Sequence, residues 1–520
     1  MNRNRLLLLT LSLLIGLLAT HAGAQNAERP TGSAKGATNK TKNKLKQPAR
    51  PPAEIDQLKD EIHELHVMVE NQQRVMAEMQ IELNALRAAP PSLDAVPMPA
   101  HPSAEADTKE ADNSVAATAL PDSLPAGTPQ PAARQPIQRR QGLVAGWDEK
   151  HAFLRSADGN FETNFMGYSQ LDSRTYSSGS HPANTFVVRR ARLAVEGKLY
   201  KYFDFKLEGD FADTTRTLLR DAYVNIHRID EFQLRFGQTR EPYSQEEMRP
   251  DNVQDFIERS LVNSLVPSRS PGMMAYGTLG GGGFEYQVGV FNGKGLLQSN
   301  NNGTPDQALR LRLTPMKHSD SFWLKGLTVG GAYNQGRSLK GLSVQGITES
   351  RIVFFKPESV NGKVYRSNAE ITWLLGPAAF RAEYDETNQR RDNLGTGATN
   401  LPGVVSQGYM AQFTYILTGE DKPDSGPVVP KRSLFDERAG RRAGLGAWEI
   451  KVRYDSLQIN DSTRNSNHAD SVYFGANWFM NRFIRYSIDL GVERFGDPVR
   501  APNPKTKNFF AVLNRIQLQL

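Results

Sequence analysis

Polar and apolar residues alternate with a period of two through much of the chain. Between Arg190 and Leu199, charged side chains occupy four of the five even-numbered positions, and apolar side chains occupy most of the positions between them. After a break at residues 200–202, the same alternation resumes in residues 203–211. A period of two is typical of a β-strand whose two faces meet different surroundings. The stretch therefore predicts two strands, each with one charged face and one apolar face.

Similar alternating segments recur as far as the C-terminus, separated by polar or turn-forming residues. The sixteen segments span residues 161–172, 186–199, 203–213, 218–228, 232–242, 271–280, 284–292, 308–316, 326–335, 363–376, 379–390, 404–419, 446–459, 468–480, 484–496 and 507–520. In a soluble sandwich the apolar faces would pack together. In a transmembrane β-barrel they would face lipid, and the charged faces would line a wet lumen.

Three further features favour the membrane barrel. Aromatic residues lie near segment ends, where an interfacial girdle would fall; they are Tyr200, Tyr202, Phe203, Trp373, Trp448, Tyr473, Trp478 and Phe479. Short connections alternate with long ones, as periplasmic turns alternate with external loops. We interpret residues 244–270, 293–307, 336–362, 391–403, 420–445 and 460–467 as long loops of this kind. In the last segment, one face of the predicted strand is apolar and carries Phe510, Val512, Ile516, Leu518 and Leu520.

The N-terminal part has a different organisation. Residues 1–24 combine basic residues, an apolar run and an Ala-Gly-Ala cleavage site, which predicts a secretory signal peptide. Residues 25–52 are lysine-rich and without apolar periodicity, so we expect a disordered segment. Residues 90–150 are rich in Pro and Ala and predict a linker. Residues 151–520 are assigned to the barrel.

Residues 53–89 predict an α-helical coiled coil, because apolar residues step by three and four over five heptads. The core positions are Ile55, Leu58, Ile62, Leu65, Val69, Gln72, Met76, Met79, Leu83 and Leu86. The choice of residues at the core positions favours a dimer, and the polar Gln72 would fix the register. The predicted fold is thus all-β, a 16-stranded antiparallel transmembrane β-barrel preceded by an N-terminal α-helical coiled coil.

Composition and sequence motifs exclude several classes of protein and site. Hydrophobic residues make up 38% of the 520 residues and the mean hydropathy is -0.52, values that exclude a bundle of transmembrane helices. The chain has no cysteine, so neither disulfides nor a catalytic thiol is expected. The run Gly280 to Gly283 lacks a following Lys-Ser/Thr, and no zinc-protease or nucleophile-elbow motif occurs. We predict no enzyme, no metal, no cofactor and no nucleic-acid partner.

Several stretches of the barrel region resemble a known family. The stretches RRARLAVEGKLYKYFDFKLEGDF, LRDAYVNI, LRFGQTREPYSQEE, ERSLVNSLVPSRSPGMMAYG and GAWEIKVRYDSLQIN occur in the order found in phosphate-selective porins O and P of Gram-negative outer membranes. The resemblance covers roughly residues 160–520. It implies a homotrimer of sixteen-stranded barrels, with residues 244–270 folded into the lumen as a constriction. Three neighbouring N-termini would then favour a three-stranded coiled coil in the periplasm over the dimer.

The strand positions predicted to face the lumen contain the candidate anion-binding residues. On the strands they are Arg190, Arg192, Lys206, Arg235, Arg310, Arg312, Arg381, Lys451, Arg453 and Arg485, and the constriction loop adds Arg249, Arg259 and Arg269. Guanidinium groups concentrate anions and can bind phosphate oxygens in pairs. Acidic residues share the same parity, among them Glu208 and Asp489. The predicted function is an outer-membrane channel for small anions, with phosphate or polyphosphate as candidate solutes. The alternatives are a general diffusion porin and a structural tether between outer-membrane lipid and the cell wall.

Overall fold

The structure of the protein is a computed structural model that describes residues 142–148, 151–177, 182–212, 218–435, 444–460, 466–498 and 506–520. The predicted signal peptide, lysine-rich segment and coiled coil lie outside the described residues. Within the described ranges, no helix combines the length and apolar character needed to cross a bilayer.

The described residues form twenty β-strands. They are Leu143–Trp147 (β1), Ala152–Ser156 (β2), Phe161–Tyr176 (β3), Thr185–Leu199 (β4), Phe203–Asp210 (β5), Leu219–Ile229 (β6), Phe232–Arg240 (β7), Arg269–Leu279 (β8), Phe284–Phe291 (β9), Asp306–Leu313 (β10), Leu327–Leu342 (β11), Gly346–Ile347 (β12), Val353–Phe355 (β13), Ser359–Leu375 (β14), Ala378–Arg391 (β15), Leu401–Ile416 (β16), Ala447–Asn460 (β17), Asn467–Phe479 (β18), Ile484–Phe495 (β19) and Asn508–Gln519 (β20).

Sixteen of these strands close into one antiparallel barrel. Each barrel strand from β3 to β20 pairs with the next one along the chain, β12 and β13 being excluded because they pair only with each other. The last strand, β20, pairs with the first, β3, from Gln519↔Tyr168 to Ala511↔Tyr176, so the ring is closed. All sixteen predicted segments are confirmed as barrel strands. Closure leaves none of the sixteen described barrel strands with a free edge across the barrel wall, which is what a bilayer requires of a spanning sheet.

The two faces of each strand are oriented as a membrane barrel demands. On β4, Leu193 is 58% exposed on the outer surface, whereas its neighbour Arg192 is 6% exposed inside the barrel. The outward parity of β20 is likewise exposed at Phe510, Ile516 and Leu518. The apolar face of residues 186–211 therefore faces outward and the charged face lines the interior.

The aromatic residues only partly follow the prediction. Trp448 and Trp478 stack directly across β17 and β18 on the outer surface, with ring centroids 5.1 Å apart. The assignment of Tyr473 and Phe479 to the girdle is wrong. Tyr473 is 1% and Phe479 6% exposed, and both lie on the inward parity. Their parity on the strand points them inward, and segments of the chain that fold into the lumen cover them.

A hairpin formed by β1 and β2 extends the barrel wall beside β3. The strand β2 pairs with residues 162–165 of β3. It uses the same edge of β3 that pairs with β20 further along the strand, at residues 168–176. Trp147 of β1 lies beside Phe483, with ring centroids 6.1 Å apart. The hairpin thus continues the wall where β20 ends. Residues 143–147 fall within the stretch predicted as a linker, so the barrel unit begins before residue 151.

The connections fall at two ends of the barrel. Residues 177–184, 211–218, 241–268, 292–305, 343–358, 392–400, 461–466 and 496–507 connect strands at one end, called the loop end. Residues 200–202, 230–231, 280–283, 314–326, 376–377, 417–446 and 480–483 connect them at the other, called the turn end. The assignment of residues 420–445 to an external loop is therefore wrong. The strand order places this long segment among the short turns.

Candidate conduction pathway

The connection between β7 and β8, residues 241–268 and called L3, folds into the lumen. It contains a one-turn helix α1 (Gln245–Met248), whose first turn is capped by the Ser244 hydroxyl accepting from the Glu247 N–H. The Tyr243 hydroxyl donates to the Ser367 carbonyl on β14, at 2.7 Å. On the opposite wall, the Arg515 guanidinium of β20 donates to the Ile257 carbonyl, at 2.6 Å. L3 therefore spans the lumen, as the family resemblance implies.

Apolar side chains hold L3 against the inside of the wall. Phe256, Ile257, Leu261 and Leu265 of L3 are buried in one cluster. The inward-facing wall residues in that cluster include Val404, Leu457, Ile459, Phe495, Phe509 and Leu513. Burying four such side chains contributes roughly 6–12 kcal/mol at 1.5–3 kcal/mol each. The lumen of this barrel is therefore apolar in part, near the loop end, where L3 packs.

Asp251 of L3 joins four arginines. Its carboxylate oxygens lie 3.3 Å from Arg190 Nη2, 2.5 Å from Arg192 Nη1, 3.4 Å from Arg240 Nη2 and 3.1 Å from Arg259 Nη2. Burial alone would raise the pKa of Asp251, but the arginines, Arg190 foremost, hold that pKa well below its usual range. The carboxylate is thus a permanent anion that fixes L3 to β4.

Asp255 forms a second junction, deeper in L3. Its carboxylate lies 2.9 Å from Arg249 Nη1, 3.3 Å from Arg381 Nη1 and 2.7 Å from Lys422 Nζ. Burial opposes its ionisation, yet these cations, Arg249 first, hold the pKa of Asp255 well below its usual range. Arg249 belongs to L3 and Arg381 to the wall, whereas Lys422 comes from the turn end.

The connection between β16 and β17, residues 417–446, is called T7. Its residues 422–424 therefore enter the lumen from the turn end. Its Lys422 also forms an ion pair with Glu449 of β17. The Asp424 carboxylate lies 3.1 Å from Arg312 Nη2 on β10, across the lumen. Two backbone carbonyls of T7, those of Pro423 and Asp424, accept from Arg381 Nη2. L3 and T7 thus meet inside the barrel and narrow it from both ends.

A third segment narrows the lumen at the loop end. Residues 343–358, called L5, carry the short β12–β13 hairpin. Glu349, at its tip, lies 2.9 Å from Arg453 Nη2 of β17 and accepts from the Ser471 hydroxyl of β18. Burial and the neighbouring Asp455 raise the pKa of Glu349 well above its usual range, against the lowering effect of Arg453.

A cavity of about 240 Å³ remains between L3, T7 and the wall strands β3 to β8. Its charged lining residues are Arg192, Lys206, Arg240, Arg269, Glu208, Asp221 and Asp251. Four cations against three carboxylates leave a net charge of +1 if all are ionised. The cavity is large enough for several water molecules. It offers a small anion a wet, slightly positive space beneath L3.

The thirteen predicted anion-binding residues all lie in the barrel interior, and Arg269 is the first residue of β8 rather than part of L3. Among the described residues, eleven of the thirteen have a carboxylate oxygen within ion-pair distance, and Arg235 and Arg485 do not. Most of the predicted cations are therefore neutralised by the acidic residues that share their parity.

Arg235 and Arg485 are held by contacts other than direct ion pairs. The guanidinium of Arg235 lies 4.2 Å from the ring centroid of Tyr223 and 4.8 Å from that of Tyr276, whose hydroxyl accepts from Nη2 at 2.8 Å. Arg485 donates to the Gln254 carbonyl of L3 and to Gln517. Aromatic faces and carbonyls orient a guanidinium but leave its charge in place.

Sequence reasoning missed several interior residues. Arg189 sits in a β-bulge between Gln170 and Leu171 of the partner strand, so it lies inside the barrel against its expected parity. Its Nε lies 2.6 Å from the Glu258 carboxylate of L3. The charged residues Lys422 and Asp424 lay in a segment taken for an external loop. That segment is much longer than most of the other turns, and its length is the reason for the wrong assignment.

Comparison with known proteins identifies the family of this chain. The family of phosphate-selective porins O and P matches residues 157–495. Porin O of Pseudomonas aeruginosa is 22% identical over 400 residues, which are 68% of this chain and 85% of that protein. Among solved structures, the anion-selective porin from Comamonas acidovorans has 12% identity and a TM-score of 0.46, and covers 69% of this chain and all of that one (100%). The outer-membrane channel DcaP of Acinetobacter baumannii has 11% identity and a TM-score of 0.45, over 70% of this chain and 99% of that one. On the family match, this chain belongs to the phosphate-selective porin O and P family of outer-membrane porins.

Proposed function

We propose that the protein conducts small anions through the lumen and the cavity beneath L3, and that Arg235 and Arg485, which have no carboxylate within ion-pair distance among the described residues, supply positive charge on the lumen wall. The observation that carries this proposal is the pairing pattern of the interior. Most interior cations are neutralised, so selectivity depends on the few that are not. Weak net positive charge attracts an anion without trapping it, which is what conduction requires.

Phosphate or polyphosphate is the candidate solute. A guanidinium can donate two parallel hydrogen bonds to phosphate oxygens, which chloride cannot match in geometry. Porin O of Pseudomonas aeruginosa and the family description support a phosphate pathway by kinship. A general diffusion porin is the competing function, because acidic residues nearly balance the basic ones in the cavity.

Current through single channels tests the proposal. The full-length protein is inserted into planar bilayers, the reversal potential is measured in a KCl gradient, and phosphate is then titrated against chloride. We expect an anion-selective reversal potential and block of chloride current by phosphate. Arg235→Gln and Arg485→Gln should each shift the reversal potential toward zero, whereas the matched outer-surface variant Arg494→Gln should leave it unchanged. Weak selectivity without phosphate block would identify a general diffusion porin.

We further propose that the protein is a homotrimer whose predicted coiled coil stands in the periplasm. In outer-membrane barrels the short turns face the periplasm, so the turn end would carry the N-terminal segment. The lysine-rich segment could then bind the anionic cell wall as a tether. Sedimentation of the full chain in detergent, compared with a chain lacking residues 53–89, measures the assembly. Strong cell-wall binding in the absence of any channel current would favour the tether function over conduction.

A further inference from the structure

A cluster of cations lies on the outer surface of the wall, near the loop end. Arg337 of β11 has the outward parity of Tyr333, and both side chains are exposed. Ten residues separate Leu327, at the turn end of β11, from Arg337. At a rise of about 3.4 Å per residue and a tilt of about 40°, this corresponds to about 25 Å of bilayer height. Arg337 therefore lies where the apolar band ends and the headgroups begin.

The cluster concentrates positive charge without a matching number of carboxylates. Lys363 of β14 is the direct cross-strand partner of Arg337, and both side chains are exposed. Like charges directly opposite each other destabilise a sheet. Arg390, on the adjacent strand, has one carboxylate nearby, Asp392 Oδ1 at 3.4 Å from its Nε. Among the described residues, no carboxylate lies within ion-pair distance of Arg337 or Lys363.

These residues line a pocket on the outer surface of the wall. Arg337, Lys363, Arg390 and Asp392, together with Tyr365, surround a cavity of about 380 Å³, called the rim pocket. Three cations against one carboxylate give the rim pocket a net charge of +2. The Tyr365 side chain adds an aromatic ring with a polar tip, a common feature at the headgroup level of membrane proteins.

An apolar groove joins the rim pocket on its bilayer side. The groove has a volume of about 480 Å³ and is lined by outward-facing side chains of β7 to β11, among them Phe236, Met273, Val288 and Leu309. Gln307 and Gln335 line both the groove and the rim pocket, so the two are continuous. A cationic pocket at headgroup level above an apolar groove matches an amphiphile with an anionic head and hydrocarbon chains.

We propose that the rim pocket and its groove bind a phosphorylated lipid of the outer leaflet, with its phosphate between Arg337, Lys363 and Arg390 and a hydrocarbon chain along the groove. The phosphate relieves the repulsion between Arg337 and Lys363, and each guanidinium can bind phosphate oxygens in pairs. The groove explains why the anion is part of a lipid: a free phosphate would leave the apolar surface unused. This site is separate from the conduction pathway and does not depend on anion conduction.

Binding of a bisphosphorylated, acylated glucosamine disaccharide to the full-length protein in detergent tests the site. Native mass spectrometry compares wild type, the double variant Arg337→Gln/Lys363→Gln and the control Arg494→Gln, which also lies near the loop end of an outward face but opposite Asp470. The double variant should bind about 25-fold more weakly, the product of two losses of about fivefold each. The control should bind as wild type does. Equal binding by all three proteins would overturn the proposal.

Two comparisons identify the source of the phosphate and the occupant of the groove. The dephosphorylated glycolipid should bind weakly, and millimolar inorganic phosphate should compete poorly. Full competition by inorganic phosphate would mean a free-anion site and would refute the lipid proposal. Lipid binding confined to dissociated subunits would mean that a second copy of the chain covers the groove, which would also refute it.

A stability measurement shows that the double variant is folded. In lipid-free detergent it should unfold at a temperature no lower than wild type, because it loses a like-charge pair. Added lipid should raise the unfolding temperature of wild type only, as expected for a ligand that binds the folded state. A lipid-induced rise of the same size in both proteins would contradict the assignment of the phosphate to these cations.

Discussion

Replacing Asp251 by asparagine removes one charge from the centre of four arginines while keeping the shape of the side chain. The carboxylate of Asp251 lies between 2.5 and 3.4 Å from nitrogen atoms of Arg190, Arg192, Arg240 and Arg259. In the Asp251→Asn variant these guanidiniums lose their shared anion. They remain buried and close to one another, so their mutual repulsion is no longer offset.

The magnitude follows from the geometry. A pair of unit charges about 4 Å apart is worth about 4 kcal/mol at an effective dielectric constant of about 20, so four pairs amount to about 16 kcal/mol before desolvation. Desolvation of the buried carboxylate cancels much of this, and Arg192 and Arg259 keep Asp210 and Glu247 as partners. Removing one partner of a buried ion pair costs about 3–5 kcal/mol. We expect Asp251→Asn to lower the free energy of unfolding by that amount.

The pH dependence gives an independent signature. Because the folded protein holds the pKa of Asp251 well below its usual range, this group binds fewer protons in the folded state. Its contribution to stability is complete above the unfolded pKa, near 3.9, and is lost as the pH falls through the lower folded pKa. The difference between wild type and Asp251→Asn should therefore be constant from pH 9 to pH 6 and shrink below about pH 4.

Urea unfolding in detergent micelles, followed by tryptophan fluorescence, measures the difference in the free energy of unfolding. The matched control is Asp230→Asn, at a turn where the Asp230 side chain is 78% exposed. It should change the free energy of unfolding by less than about 0.5 kcal/mol. A loss below about 1 kcal/mol in Asp251→Asn, or a difference that is as large at pH 3 as at pH 7, would refute the role of this carboxylate as the anion that holds L3.

Three further predictions concern the wall, T7 and L5. Leu193→Arg should lower the free energy of unfolding by about 2–4 kcal/mol if this outward position lies at the bilayer midplane, while Leu193→Met changes it little; urea unfolding of the barrel in liposomes compares them. Replacing residues 423–443 of T7 by a short Gly-Ser turn should raise the single-channel conductance, and an unchanged conductance would show that T7 lies outside the path. Glu349→Gln should raise the free energy of unfolding by on the order of 1 kcal/mol at pH 8, because this buried carboxyl has a raised pKa; the gain should vanish near pH 4, where the unfolded state also binds the proton.

The sequence by itself determined the wall of the barrel. Every strand that crosses the membrane must alternate between lipid and lumen, so the period of two identified all sixteen strands and the outward face of residues such as Leu193. The same local rule placed Arg192 and Arg453 in the interior. This information lies within a few consecutive residues, which is why it can be read from one chain.

The tertiary structure alone decided what fills the lumen. One partner of Arg192 is Asp251, 59 residues away on L3, and Arg381 meets the backbone of T7. Such contacts depend on which segments fold inward, and no local period encodes that choice. Tyr473 shows the consequence, because its position at a segment end suggested a girdle residue, whereas its hydroxyl donates to Glu493 and contacts Ser350 of L5 inside the barrel. Charge pairing across the lumen is a property of three-dimensional proximity and not of sequence pattern.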